Sequence, residues 1–347
     1  MSELALVVSP GLRTDSWQFF QMLGNLLKLS RRIPAYACER CYAAPMKRPK
    51  IESIRSPTLF EMGKPEKTAK STSSPNIERP YSEAGLYLGT SAFTAAGWQG
   101  SFYPPGMQSR EYLTHYATQF RTVEVDSTFY GTPSPSTVMA WNEKTPDDFI
   151  FSIKVPQVIT HEKVLVDCQP EFDEFIDRMK LLGEKLGPLV FQFPHFDQFQ
   201  FKSASEFLPR LRSFLQKLRD IPVKFVIEIR NKSWLDVRFA DVLREYGVAL
   251  ALTDTSFLQR PWEMKEKFDL VTADFVYVRW LGNRKEIEKQ TMTWDKTIVD
   301  RSKDLQSWVE LFRQFMRRDL KVYAYANNHY AGNGPGTVKL FWDVWKR

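Results

Sequence analysis

Cysteine and histidine are scarce in this sequence, with three of one and four of the other in 347 residues. Three cysteines exclude a disulfide framework. Cys38 and Cys41 form one Cys-x-x-Cys, but no second pair or Cys/His cluster completes a zinc site, so the two read as incidental. Cys168 lies in a polar connection with no evident partner. His-Glu-x-x-His, Gly-x-Gly-x-x-Gly and the Walker sequence are absent, which removes the local signatures of zinc hydrolysis, dinucleotide binding and phosphate-loop chemistry. No apolar run approaches the roughly 18–20 residues that a membrane helix needs. A cytoplasmic protein with no membrane partner is the expectation.

The formal charge of +7 suggests nucleic acid, but its distribution argues otherwise. Residues 1–85 carry 13 Lys/Arg against 8 Asp/Glu, whereas residues 86–347 carry 35 against 33. The basic excess therefore belongs mostly to the front segment. That segment does not read as a domain. Residues 17–29 place Phe19, Phe20, Leu23, Leu26 and Leu27 on one helical face, yet Gln18, Gln21, Asn25 and Lys28 interrupt it as a signal peptide. Residues 43–85 hold six prolines among Lys, Ser and Thr. A composition with so little apolar surface cannot offset the entropy of ordering, so a mostly disordered N-terminal extension is expected over residues 1–85. Met62 is a candidate alternative start.

From Leu86 onward, short apolar runs end on polar residues eight times. They are Leu86–Ser91, Val123–Asp126, Phe149–Lys154, Leu189–Gln192, Phe225–Arg230, Ala249–Asp254, Phe275–Arg279 and Val322–Asn327. Between most of them lies a segment of helical spacing. Helices are expected from Ser109 to Phe120, from a Ser136 cap to Lys144, and from Glu171 to Leu186, closed by Gly187-Pro188. Further helices are expected over residues 203–218, 236–246, 304–320 and 336–346. The connection from Ser256 to Asp274 has room for only a turn of helix. Buried parallel strands alternating with helices define an α/β fold, and eight of them predict an eight-stranded parallel (β/α)8 TIM-like barrel over residues 86–347.

In such a barrel, chemistry sits at the C-terminal strand ends. Period-two alternation places Glu124 with Asp126, Ser152 with Lys154, Glu228 with Arg230, and Tyr277 with Arg279 on the inward side of their strands. Gln192, Asp254, Asn327 and Asn328 join them at strand ends. A buried charge must be paired or neutralised, so Glu124, Glu228 and Asp254 could simply balance Lys154, Arg230 and Arg279 as a structural salt-bridge network. The functional alternative is an anion-binding pocket with acid–base chemistry. Glu124, Glu228, His161 and Lys154 are then the catalytic candidates, and Arg230, Arg279, Gln192, Asp254, Asn327, Asn328, Tyr130 and Trp98 the substrate-binding ones. The glycine-rich stretch Asn327–Thr337 offers backbone amides to a phosphate or carboxylate, or else merely caps a helix. No local motif fixes a metal, although a divalent ion among the carboxylates and His161 is conceivable, and no cofactor is identified. Lys154 as a Schiff-base lysine is a minor alternative. Trp98, Phe102, Tyr103, Phe129, Tyr130, Trp234, Trp280 and Tyr330 follow strand ends, where they floor a pocket, stack bases, or pack loops onto the barrel.

The same residues resemble a known family. Leu88-Gly89-Thr90-Ser91 with Trp98–Pro104, Val123–Tyr130 with Pro133, Phe151–Lys154 with Thr160-His161, and Phe191–Pro194 are similar to successive motifs of the YecE-like family, domain of unknown function 72. Glu228–Arg230 with Ser233-Trp234, Tyr277–Gly282 and Asn327–Gly332 continue the series in order. The resemblance covers essentially Leu86 to the C-terminus. It implies a TIM-barrel-like fold and no particular reaction, and it sets Asn in relatives where Asp126 stands here. It also implies a likeness in shape to metal-dependent, phosphodiester-cleaving barrels, which the undirected carboxylates and four histidines fit poorly. The leading expectation is an enzyme acting on a small polar or anionic substrate. A nucleic-acid-binding or phosphodiester-cleaving protein, and a non-catalytic metabolite-binding protein, are the alternatives.

Overall fold

A computed structural model describes residues 79–347. The readings made on residues 1–78, including the amphipathic segment, Cys38, Cys41 and Met62, lie outside the described residues. Eight strands form one parallel sheet: β1 Leu86–Thr90, β2 Thr122–Val125, β3 Ile150–Lys154, β4 Leu186–Gln192, β5 Phe225–Glu228, β6 Ala249–Thr255, β7 Phe275–Gly282 and β8 Lys321–Ala326. Their order is β1-β8-β7-β6-β5-β4-β3-β2, so each strand lies beside its neighbour in sequence and β1 returns to β8. Among the described residues no helix is long and apolar enough to cross a membrane.

The outer layer follows the apolar stripes. Helix Ala204–Leu218 buries Phe207, Leu211, Phe214, Leu215 and Leu218, and helix Ser302–Met316 buries Leu305, Trp308, Val309 and Phe312. Several boundaries differ from the sequence reading, three of them for a clear local reason. Ser134, not Ser136, caps helix Pro135–Glu143, because Pro135 then takes the first helical position, where its missing N–H costs nothing. The predicted helix from Glu171 stops at Met179 and tightens into a 3-10 turn over Lys180–Lys185. Gly187 and Pro188 lie inside β4 instead of closing that helix. A Cβ on Gly187 would stand 2.4 Å from Ile150 Cγ2 and 2.9 Å from the Phe151 carbonyl, so close strand packing demands glycine there. Pro188 has no N–H for the ladder, and the β3/β4 register shifts beside it. Its carbonyl accepts a hydrogen bond from Ser152 Oγ at 2.8 Å.

Residues 79–85, placed in the extension by sequence, pack on the barrel. Arg79 is buried and pairs bidentately with Asp148 at 2.6 and 2.8 Å, and its Nε donates to the Ala117 carbonyl. Tyr81 stacks on Phe120.

The barrel interior is built in layers by strand parity. Tyr87, Phe275 and Tyr323 pack together at the N-terminal end. Tyr277 and Tyr325 lie above them with Val190, Val226 and Ala251. Backbone pairing is continuous except between β1 and β2, where a side chain bridges the seam. The Thr90 N–H donates to Tyr116 Oη at 2.9 Å, and that hydroxyl donates to the Thr122 carbonyl at 3.1 Å. Gly89 makes the approach possible, since a Cβ there would stand 2.2 Å from the Thr122 carbonyl oxygen. Tyr116→Phe leaves a buried donor and a buried acceptor unpaired at this seam. It is expected to lower unfolding stability by about 1–3 kcal/mol in chemical denaturation, a loss far above that of an exposed Tyr→Phe change such as Tyr130→Phe.

Candidate functional site

Strand parity and direction bring the charged residues of four strands to the C-terminal end of the barrel. Glu124 lies opposite Ser152, Gln192 opposite Glu228, and Arg279 between Thr253 and Tyr325. Their neighbours along each strand, such as Val123, Phe151, Ile227 and Val278, face the helices. The charged set converges on Arg279, whose side chain is only 2% exposed. Its Nε and Nη2 donate to Glu124 Oε1 at 3.0 and 2.7 Å. Nη1 donates to Glu228 Oε2 at 2.6 Å, and Nη2 reaches both oxygens of Asp126 at 3.0 and 3.3 Å. One guanidinium thus holds three carboxyl groups, from β2, from the residue just after it and from β5. It fills the position between them that a divalent cation would need, and among the described residues no group of three or more acidic, His or Cys side chains is placed to hold a metal.

Glu124 and Glu228 are sealed beneath this layer, at 0% and 1% exposed. Their proton affinities diverge. Burial raises Glu124 to about 7, with Asp126 adding to the rise and Arg279 opposing it. Burial acts the same way on Glu228, but Arg279, Arg230 and Lys154 outweigh it and bring the carboxyl down to about 2. Glu228 is therefore an ionised anchor at neutral pH. Arg279 is desolvated, yet its three carboxylates raise its pKa well above the ordinary value. Tyr277 Oη lies 2.6 Å from Glu124 Oε2 and 2.6 Å from Ser152 Oγ.

Above the sealed layer stand the accessible groups. Arg230 is partly exposed and its Nε lies 3.3 Å from Glu228 Oε1. The Lys154 ammonium rests 4.1 Å from the centre of the Phe129 ring and, among the described residues, forms no ion pair within 4 Å. Burial lowers its pKa, with Arg279 adding to the effect and the carboxylates opposing it. His161 also packs edge-on against Phe129, and its Nδ1 is 2.9 Å from Thr160 Oγ1. Burial first, then Lys154 and Arg230, lower it to about 4, so the imidazole is neutral at pH 7.

Other sequence candidates lie elsewhere. Asp254 does not face the mouth, because Ala251 and Thr253 take the inward side of β6. Its carboxylate accepts from Trp308 Nε1 and Tyr330 Oη, each at 2.8 Å, and pairs with Arg260 in the helix layer. Trp98 is buried and donates to Asn328 Oδ1. That same oxygen accepts from the Gly334 amide, while Asn327 holds Ser91 and His329. The loop amides are thus engaged internally, with Asn333 accepting from Gly336 N to cap helix Gly334–Trp345. The cradle read from these glycines is a cap. A Cβ on Gly336 would stand 2.6 Å from Thr297 Oγ1, so close packing is what the glycine serves. Gln192 is buried, with its amide donating to the Phe193 carbonyl. Tyr130 is 79% exposed at the rim. Trp234 packs against Phe196 and Phe207, and Trp280 against Phe312 and Phe341, so neither lines the mouth. Three contributors were named in the sequence reading but given no catalytic or substrate-binding role. Tyr277 and Asp126 carried the right parity, whereas no periodic signal marks Phe129, which is aimed by the 3-10 turn Ser127–Tyr130. Hollows of about 520 and 550 Å³ on the outer surface share no residue with this cluster.

A nearly closed parallel barrel with its polar cluster at the C-terminal strand ends is the architecture of a TIM-type barrel protein. A family model described as "Protein of unknown function DUF72" matches residues 87–347, and the chain belongs to that family. The UPF0759 protein YecE of Escherichia coli is 39% identical over 82 residues, covering 24% of this chain and 30% of that protein. The UPF0759 protein YunF of Bacillus subtilis is 32% identical over 160 residues, covering 44% and 54%. The chain therefore spans only a third to about half of the curated relatives it matches. A DUF72 family protein of Thermotoga maritima superposes with a TM-score of 0.58 at 25% identity, over 76% of this chain and 99% of that one. One from Enterococcus faecalis gives 0.57 at 20% identity, over 76% and 96%, and shares the fold.

Removing Arg279 would strand the carboxylates of Asp126 and Glu228 and the carboxyl group of Glu124 in the barrel. Arg279→Met is expected to cost about 3–5 kcal/mol at pH 7–8 in denaturant unfolding. The deficit is expected to shrink as pH falls, because the stranded carboxyls can then take up protons. A loss under about 1 kcal/mol, or one independent of pH, would contradict the cage.

Proposed function

We propose that the barrel mouth is the active site of an enzyme that binds a small anionic substrate and moves a proton on it. The observation that carries this reading is the Lys154 ammonium. It is partly buried at the strand ends, has no carboxylate within ion-pair range among the described residues, and stands with Arg230 over a layer whose carboxyl groups Arg279 already engages. A desolvated cation without a counter-ion is costly, and a substrate anion would supply one.

Lys154 and Arg230 would hold the anion, Arg230 as a fork and Lys154 as a point charge. Phe129 and Tyr130 would wall the site. His161 is the group with an accessible proton function. Its Nδ1 is held by Thr160, which leaves Nε2 to face the substrate. The two cations that depress its basicity are the ones an anion would neutralise, so binding would raise the imidazole toward its ordinary value and improve it as a general base. Glu228 and Arg279 would act as positioning residues, fixing Arg230 and the level of the mouth.

Calorimetric titration with sulfate at neutral pH and low salt tests this. Saturable binding is expected, weakened about tenfold by Lys154→Met and by Arg230→Gln, and unchanged by Lys321→Met at the opposite end of the barrel. Added chloride should weaken it. An affinity that is equal in all four proteins would refute the assignment.

A further inference from the structure

The contacts below the mouth do not balance unless Glu124 carries a proton. Three short contacts run in series: Glu124 Oε2 to Tyr277 Oη at 2.6 Å, Tyr277 Oη to Ser152 Oγ at 2.6 Å, and Ser152 Oγ to the Pro188 carbonyl at 2.8 Å. The carbonyl can only accept, so Ser152 spends its proton there. Tyr277 must then donate to Ser152, and the first contact has no proton left unless Glu124 supplies one. With Glu124 ionised, three contacts share two protons and one becomes a close approach of two oxygens. The proton has a defined seat. Oε1 already accepts from Arg279 Nε and Nη2, whereas Oε2 faces the tyrosine.

We propose that Glu124 is a neutral acid whose proton sets the charge of the mouth, so that anion binding at Lys154 and Arg230 is coupled to proton uptake by Glu124. The coupling half rests on the anion site proposed above, while the proton chain stands on its own geometry. With Glu124 neutral, Asp126 and Glu228 face Arg279, Arg230 and Lys154, and the cluster carries one net positive charge. With Glu124 ionised the cluster is neutral and attracts an anion less. By linkage, the anion and the proton each favour the other. The groups facing Glu124 are Arg279 and Tyr277 from β7, Asp126 just past the end of its own strand, Ser152 and Lys154 from β3, Glu228 from β5 and Tyr325 from β8. Burial, with Asp126 adding to it, independently raises the proton affinity of Glu124. Its sign is that of a carboxyl raised above its ordinary 4.5, so the folded state loses stability as pH climbs from there through about 7.

Two measurements separate the halves. Infrared spectroscopy of the unliganded protein near pH 6 should show a protonated-carboxyl stretch that shifts in heavy water, moves in Tyr277→Phe and vanishes in Glu124→Gln. Absence of that band overturns the proposal whether or not sulfate binds. Sulfate titration near pH 7.5 in buffers of different ionisation heat should show net proton uptake by the full chain. Running it also in a His161→Gln background removes the imidazole's share. Glu124→Gln in that background should bind sulfate without uptake, since the amide mimics the neutral acid. Equal uptake with and without Glu124 overturns the coupling. Sulfate that fails to bind while the band persists overturns the anion site, and the coupling with it. The wild-type chain should also lose thermal stability relative to Glu124→Gln between about pH 5 and 8, and a constant difference counts against the neutral acid.

Discussion

A guanidinium buried inside a barrel constrains everything around it. Arg279 cannot be deprotonated, and removing its charge from water costs several kcal/mol before any contact is made. The fold meets that demand with carboxylates from two strands on the facing wall, bound through Nε, Nη1 and Nη2. Glu124, Asp126 and Glu228 are therefore committed to Arg279 first. What remains at the mouth is cationic, namely Lys154 and the outer face of Arg230. The functional reading follows from this division, in which the negative charge is spent below and the positive surplus is presented above.

The floor of the cluster ties the site to closure of the barrel. Tyr277 joins Glu124 to Ser152, and Tyr325 contacts Thr122 Oγ1 at 2.7 Å. Thr122 is the first residue of β2, and its carbonyl is the acceptor at the β1/β2 seam. Tyrosines thus do twice what backbone ladders do elsewhere, bridging a gap between strands and presenting hydroxyls to polar groups that would otherwise be buried unpaired. Pro188 contributes through what it lacks. Without an N–H it lies at a shift in the β3/β4 register, and its carbonyl becomes the terminus of the hydrogen-bond chain under Glu124.

Strand parity makes the inner ring legible in the sequence. Glu124, Ser152, Lys154, Glu228, Tyr277 and Arg279 follow from alternation alone, because a parallel strand packed on both faces must send alternate residues inward. Asp254 shows where a looser rule fails. It ends an apolar run as the others do, but the small inward residues Ala251 and Thr253 put it on the helix side, where Trp308, Tyr330 and Arg260 use it. The glycines after β8 were ambiguous for another reason. Open amides and close packing leave the same composition, and only the positions of Asn328 and Asn333 decide for packing. Phe129 was legible only as one of several aromatics after strand ends, since a 3-10 turn aims it and no period does. Asp126 was discounted because relatives were expected to carry Asn there, yet here its carboxylate is the outermost arm of the cage.

The central claim is that the surplus cations at the mouth form an anion site. Selenate has the charge and shape of sulfate and scatters anomalously, so crystals soaked in it locate the site directly. The account predicts an anomalous peak at the C-terminal strand ends within hydrogen-bonding reach of both Lys154 Nζ and the Arg230 guanidinium. A mouth that stays empty at saturating selenate, with peaks only on surface lysines, would contradict it.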